Sequence, residues 1–184
     1  FNRKSYNFLS NVQIDRFFIW AVIGVIIGGR VGYVLFYQTN LLFLEPFYLF
    51  EIWKGGMSFH GGLIGIIFSI YLFSIKNRVK FFYLADLVSI VAPIGLFLGR
   101  ISNFINTELY GRVTDFPFAI IYPQIDNNTR HPSQLYESFF EGIVLFLILF
   151  LYFNKDPKKY SIGNVSALFL IIYSIFRFLI EYLR

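Results

Sequence analysis

The sequence has no cysteine, one methionine, two tryptophans and two histidines among its 184 residues. Without cysteine there is no disulfide, no thiolate nucleophile and no thiolate metal ligand, so any thiol in the chemistry must come from a substrate. Two histidines argue against a zinc site. Neither HExxH nor a glycine-rich phosphate loop closing on lysine is present, and Glu108 with Asp115 makes no convincing carboxylate pair. No metal and no organic cofactor is expected. Charge is also scarce, at 15% of residues, which is too little polar surface for a soluble domain of this length.

What fills the chain is apolar. Hydrophobic residues make up 57%, with 25 phenylalanines and 13 tyrosines. Abundant Phe, Tyr, Ile, Asn and Lys also suit an AT-rich genome, so the aromatic count alone carries no function. A helix crosses the hydrocarbon core with about 20 mostly apolar residues. Five stretches qualify: Phe17 to Tyr37, Met57 to Ile75, Tyr83 to Ile101, Ser133 to Phe153, and Ile162 to Leu183. None shows the strict alternation of a barrel strand, and a helix satisfies its own backbone in lipid. The fold class is therefore all-α, a polytopic transmembrane bundle with five spans.

Loop charges set the orientation. Lys76, Arg78 and Lys80 follow the second span without an acid, and Lys155, Lys158 and Lys159 follow the fourth against Asp156. The positive-inside rule places both loops in the cytoplasm. Arg3, Lys4 and Arg16 agree for the segment Phe1 to Arg16, which leaves the segments Gln38 to Gly56 and Ser102 to Pro132 outside. The net charge of +5 then belongs to loops beside anionic headgroups, and no nucleic-acid partner is expected. The chain begins at Phe1 without methionine or leader and stops at Arg184 as a span ends, so both ends are expected to be missing from a longer protein.

Arg100 closes the apolar stretch Leu84 to Leu98 and is followed at helical spacing by Asn103 and Asn106. A charged side chain at mid-bilayer costs roughly 2.5 to 3.5 kcal/mol on insertion scales, so its default reading is a functional site facing a polar cavity. Arg30 lies near the outer end of the first span, with Tyr33 and Tyr37 on its face. His60 opens the second span among glycines, where free backbone N–H groups favour an anion. Pro132 suits the first turn of the fourth span, and Gln134, Ser138 and Glu141 continue a polar stripe inward. Tyr173, Arg177 and Glu181 stand at i, i+4 and i+8 on the fifth. All five spans thus carry their polar groups in or near the outer half.

Plainer readings stand beside these. Gly24, Gly28 and Gly32, Gly61 and Gly65, and Gly95 and Gly99 have the small-xxx-small spacing of close helix packing. The glycines near His60 fit either a tight crossing or a lipid phosphate. Arg177 with Glu181 fits an intramembrane ion pair, and a lone arginine can snorkel. His60 by itself fits an interface residue, and His131 beside Pro132 a cap or loop contact. Ser58, two residues from His60, cannot share its helical face and makes a poor serine–histidine pair.

Four ordered motifs are distinctive together: Gly29-Arg30-Val31-Gly32-Tyr33-Val34-Leu35-Phe36-Tyr37, Gly55-Gly56-Met57-Ser58-Phe59-His60-Gly61-Gly62, Gly99-Arg100-Ile101-Ser102-Asn103-Phe104-Ile105-Asn106, and Arg130-His131-Pro132-Ser133-Gln134-Leu135-Tyr136-Glu137. With Tyr173, Arg177 and Glu181 they resemble the prolipoprotein diacylglyceryl transferases from about Arg30 to the C-terminus. The resemblance implies a seven-helix enzyme of the bacterial plasma (inner) membrane, with residues 1–184 a single transferase domain lacking the first and last spans. It implies transfer of the diacylglyceryl group of phosphatidylglycerol to the lipobox cysteine of a prolipoprotein signal peptide, with release of glycerol phosphate, as the first step of lipoprotein maturation. The partners implied are phosphatidylglycerol, prolipoproteins and membrane lipids, and the site opens toward the outer face.

By the same resemblance His60, Arg100, Asn103, Gly111 and Arg177 match positions important for activity, with Arg30, Glu108 and Tyr173 in support. The chain departs from the family pattern at Ser102 and Thr107, where glycine is common, and at Tyr110, where tryptophan is common. The connection between Arg112 and Arg130 is short beside many relatives. In the expected mechanism Arg100 and Arg177 hold the phosphate through paired hydrogen bonds, and Asn103 orients the headgroup. Glu108 positions an arginine or contacts the leaving group. His60 is either the general base for the thiol or a residue that orients lipid while an arginine lowers the thiol pKa. The competing classes are an anion transporter or lipid-binding protein without chemistry, and a degenerate non-catalytic relative.

Overall fold

The computed structural model describes residues 9–155 and 161–184. Among them, five helices are long and apolar enough to cross a membrane: α1 (Asn11–Tyr37), α3 (Phe59–Asn77), α4 (Phe81–Ile105), the run Ser133–Asn154 and α7 (Asn164–Glu181). A short helix α2 (Thr39–Leu44) follows α1. The fourth run is composite, with α5 (Ser133–Glu137), a π-helical stretch Ser138–Val144 and α6 (Leu145–Lys155) in series. The chain is a multi-pass helical membrane protein, and every span expected from the sequence is present.

Local chemistry explains where the helix ends differ from the hydropathy reading. The first helix starts at Asn11 rather than Phe17 because Ser10 and Gln13 form a reciprocal capping box. The second span starts at Phe59 rather than Met57 because Ser58 is its N-cap, accepting from the Gly61 N–H. Pro132 occupies the N-cap position just ahead of α5 instead of its first turn. Of the charges used for topology, Arg3, Lys4, Asp156, Lys158 and Lys159 lie outside the described residues.

The chain forms two compact units, residues up to Leu84 and residues from Ala85. In the first, α1 and α3 pack backbone to backbone. A Cβ on Gly65 would sit 2.0 Å from the Gly24 carbonyl oxygen, and one on Gly28 would sit 2.4 Å from that of Gly61. Small residues there let the helices approach without a side chain between them. At the other end of this pair Phe73 is buried against Phe17 and Trp20. An apolar groove of about 740 Å³ runs along the α1–α3 seam from Ile19 to Leu72 and has no charged lining residue. The stripe Gly95 and Gly99 behaves otherwise: an added Cβ would meet nothing within 4 Å, so no described residue packs closely there.

In the second unit Leu145, Leu149 and Val165 form the buried core, covered by Ile90, Phe169, Ile172 and Phe176. The α4–α5 connection is a small folded element that hydropathy did not foresee. It carries an antiparallel pair, β1 (Ile120–Ile121) with β2 (Thr129–Arg130), extended by a bridge from Val113 to Arg130. Asp126 pairs with Arg130 at 2.5 Å, and the Arg130 guanidinium lies over the Tyr110 ring. Tyr122 is buried beneath, its hydroxyl donating to Gln134 Oε1.

Candidate active site

Two buried carboxylates organise the polar residues of the second unit. Glu137 ends α5 and Glu141 lies in the π-helical stretch; both are fully buried. Residues four apart in sequence lie on nearly the same helical face, so both carboxylates project to one side. The π-helical stretch, a rare geometry often found at functional sites, begins immediately after Glu137.

Glu137 bridges the two arginines that the sequence singled out. Arg100 Nη1 is 3.0 Å from Glu137 Oε2, and Arg177 Nη1 donates to Glu137 Oε1. Arg184 approaches the same carboxylate at 3.7 Å. Glu141 is held more loosely, 3.4 Å from Arg100 Nη2 and 3.9 Å from Arg177 Nη1. Its Oε1 has no hydrogen-bond partner among the described residues, and Glu137 Oε2, although close to Arg100, lies off the hydrogen-bonding direction. Arg177 also pairs with Glu181 at 2.9 Å, as the i, i+4 spacing anticipated. Tyr173, one turn before Arg177, stacks on Phe169 and lies within electrostatic reach of Arg100, Arg177, Glu137 and Glu141.

Arg100 and Arg177 are part-exposed, with 15% and 27% of their side chains accessible, while the carboxylates behind them are closed off. A carboxylate sandwiched this way fixes both guanidiniums, and the N–H groups not turned to Glu137, Glu141 or Glu181 remain for an incoming anion. Asn103 is half-buried one turn along α4 from Arg100.

The neighbouring connection is held rigidly. Gln134 Nε2 donates to the Glu108 carbonyl at 2.6 Å and Ser133 Oγ to the Leu109 carbonyl at 3.0 Å. The Glu108 side chain itself is exposed, with no ion pair to an arginine among the described residues. Gly111 is buried where three segments meet: its N–H donates to the His131 carbonyl, and a Cβ would fall 2.6 Å from that oxygen and 2.7 Å from the Leu183 carbonyl. His131 fits its plainer reading, packed on Phe116 and Tyr136 with its backbone joined to Arg112. Thr107 and Leu109 adopt left-handed φ values of 59° and 54°. That conformation suits glycine, and it gives the physical reason why threonine at 107 is an unusual choice.

Arg30 and His60 belong to the first unit. Arg30 is 2% exposed, and its guanidinium donates to the carbonyls of Tyr48, Leu49, Gly55 and Gly56. It lies over the Tyr48 ring at 4.7 Å. Its donors thus hold together the chain that leads into α3. His60 stands in the first turn of α3, exposed, with the Phe59 ring edge-on at 5.7 Å.

The residue that sequence reasoning passed over is Glu137. The signal was available: an acid in a membrane span needs a partner, and Glu141 four positions on had already been placed in the polar stripe. Together these groups can bind an anionic headgroup between two fixed guanidiniums.

Comparison with known proteins follows the same direction. Residues 2–184 match the family model described as prolipoprotein diacylglyceryl transferase. The chain is similar to the phosphatidylglycerol--prolipoprotein diacylglyceryl transferase of Aeromonas salmonicida (strain A449), 51% identical over 172 residues that cover 94% of this chain and 62% of the relative. The protein of that name from Pseudoalteromonas atlantica is 52% identical over 172 residues, covering 94% of this chain and 60% of the relative. The one from Rickettsia typhi is 51% identical over 177 residues, covering 96% and 68%. The chain spans roughly three fifths to two thirds of the length of these curated relatives.

Proposed function

The chain belongs to the prolipoprotein diacylglyceryl transferase family, and we propose on that premise that the protein moves the diacylglyceryl group of phosphatidylglycerol onto the lipobox cysteine thiol of a prolipoprotein. The observation that carries the reading is the meeting of Arg100 and Arg177, from two different spans, at Glu137. The location is the bacterial plasma (inner) membrane, with the site toward the outer face and residues 1–184 acting as one transferase domain. Prolipoprotein signal peptides, phosphatidylglycerol and membrane lipids are its partners.

The reaction forms a sulfur–carbon bond at the glyceryl carbon as the carbon–oxygen bond to phosphate breaks, and glycerol phosphate leaves. Arg100 and Arg177 hold the phosphate and neutralise the charge that builds on the departing oxygen, with water excluded by the surrounding span. Guanidinium is suited to this because it stays protonated in an apolar site and offers paired donors. Asn103 orients the headgroup, and Tyr173 closes the same side. His60 takes the thiol proton or orients the lipid; the cysteine-free chain fits a thiol brought by the substrate. Gly111 and Glu108 act through the rigid connection that borders the headgroup. Arg30 supports the site by fixing the carbonyls of residues 48–56 ahead of His60.

The test uses the complete membrane protein in phosphatidylglycerol vesicles with a lipobox peptide, followed by peptide mass. The expected product gains one diacylglyceryl group, needs the peptide cysteine, and is lost in Arg100→Ala and Arg177→Ala. His60→Ala separates its two roles: removal of a base costs more near neutral pH than above about pH 9, where the thiol ionises unaided, whereas removal of an orienting residue costs the same at both. Folded wild type that binds the lipid but forms no adduct makes the protein a lipid-binding or transport protein instead.

A further inference from the structure

Arg100, Arg177 and Arg184 face three carboxylates, Glu137, Glu141 and Glu181, so the cluster is already neutral when every acid is ionised. A phosphodiester brings one more negative charge. In a buried, weakly screening site that charge either displaces an acid from its arginine or arrives with a proton. Glu137 is poorly placed to take the proton, because Arg100 and Arg177 both contact it closely and Arg184 stands behind them. Glu181 is 59% exposed and water screens it.

Glu141 is different. It is fully buried, its arginine contacts are 3.4 and 3.9 Å, and its Oε1 has no hydrogen-bond partner among the described residues. The charged and titratable groups that face it are Arg100 from α4, Arg177 and Tyr173 from α7, and Glu137 on its own span. If a phosphate draws the two guanidiniums outward, Glu141 loses what compensation it has while a like charge remains one turn away at Glu137.

We propose that Glu141 takes up one proton when a phosphatidylglycerol headgroup engages Arg100 and Arg177, keeping the buried cluster neutral, and so acts as a positioning residue for the anion. The inference rests on the phosphate-holding role given to those arginines above. It makes lipid binding proton-linked: over the pH range in which free Glu141 is ionised and lipid-bound Glu141 is not, the Kd for phosphatidylglycerol weakens by up to about tenfold per pH unit.

The experiment is calorimetric titration of the complete protein in detergent with dihexanoyl phosphatidylglycerol, against dihexanoylglycerol, which lacks the phosphate. Runs between pH 5 and 8 use two buffers of different ionisation enthalpy. Wild type should take up about one proton per phosphatidylglycerol bound, and Glu141→Gln should bind with no uptake and a flat pH profile. Glu181→Gln should keep the wild-type slope. Binding of phosphatidylglycerol without proton uptake, or an unchanged slope in Glu141→Gln, overturns the proposal while leaving the phosphate reading intact. No preference for phosphatidylglycerol over dihexanoylglycerol overturns both. Should Glu141→Gln fail to fold, Glu141→Asp, whose shorter carboxyl sits differently against the arginines, should move the pH profile of binding, and an unmoved profile or absence of uptake in wild type overturns the proposal.

Discussion

Asp86, near the start of α4, accepts a 2.7 Å hydrogen bond from the backbone N–H of Gly163 and another of 2.7 Å from that of Ser166. These are the N-cap residue and a first-turn residue of α7. A helix N-terminus leaves N–H groups unpaired, and glycine has no side chain to satisfy them. Asp86 supplies the missing oxygens from another span, with its charge at the favourable end of the helix dipole. The helix it fastens is the one that carries Tyr173 and Arg177.

Asp86→Ala should therefore destabilise the protein by about 0.5 to 2 kcal/mol, the usual range for a lost cap. Asp86→Asn, which keeps an acceptor, should lose less. Thermal unfolding in detergent measures both, and equal stability of wild type and Asp86→Ala would remove the capping role.

The glycine stripes separate into two kinds. Gly65→Ala forces α1 and α3 apart and should lower stability by about 1 to 3 kcal/mol, as overpacking does. Gly99→Ala meets nothing within 4 Å and should be neutral or slightly stabilising. The pair of unfolding curves tests the distinction, and similar losses in both variants would defeat it.

Thr107 holds a φ of 59°, a left-handed conformation that a β-branched residue reaches at a strain of about 1 to 2 kcal/mol. Thr107→Gly relieves it but adds freedom to the unfolded chain, worth about 0.4 to 1 kcal/mol. The net gain should be on the order of 0.5 to 1 kcal/mol, and a raised unfolding midpoint is the check.

Glu137→Ala leaves Arg100 and Arg177 without their shared anchor. Removing one member of a buried ion pair costs about 3 to 5 kcal/mol, so the variant should be much less stable and lose most of the proposed transferase activity. A double-mutant cycle with Arg177→Ala should show strong coupling, with the second change costing less than it does alone. Additive losses would place Glu137 outside the arginine network.

In the α4–α5 connection the Arg130 guanidinium, helped by the N–H of Asn128, holds the Asp126 carboxyl down at about 2 from an ordinary value of 3.8. A depressed folded-state pKa means that the pairing contributes fully above about 3.8 and fades as pH falls from there through about 2. Protection factors of the hairpin amides, taken against the intrinsic exchange rate at each pH, should fall across that window in wild type. In Asp126→Asn the part of the fall attributable to this pair should be absent.

Much of this was legible in the residues taken in order. Each span announced itself by an apolar run, and Ser10 with Gln13 or Ser58 with Gly61 shows that even the helix starts had local signals beside the hydropathy. Arg100, Asn103 and Arg177 stood out because a charge or amide in an apolar run is conspicuous at any fold. The Arg177–Glu181 pair could be anticipated because both residues lie on one helix, where spacing alone fixes proximity.

The sequence by itself determined the class of protein, the five spans and the arginines of the site, since hydrophobicity and helical periodicity act over a few turns of chain. Tertiary structure decided the partners. Glu137 meets Arg100 and Arg177 across about forty residues in either direction, Asp86 caps a helix in a later span, and Arg30 is committed to four carbonyls of the following segment. Such contacts depend on how helices pack in space, and a linear pattern holds no record of which polar group will satisfy another once water is gone.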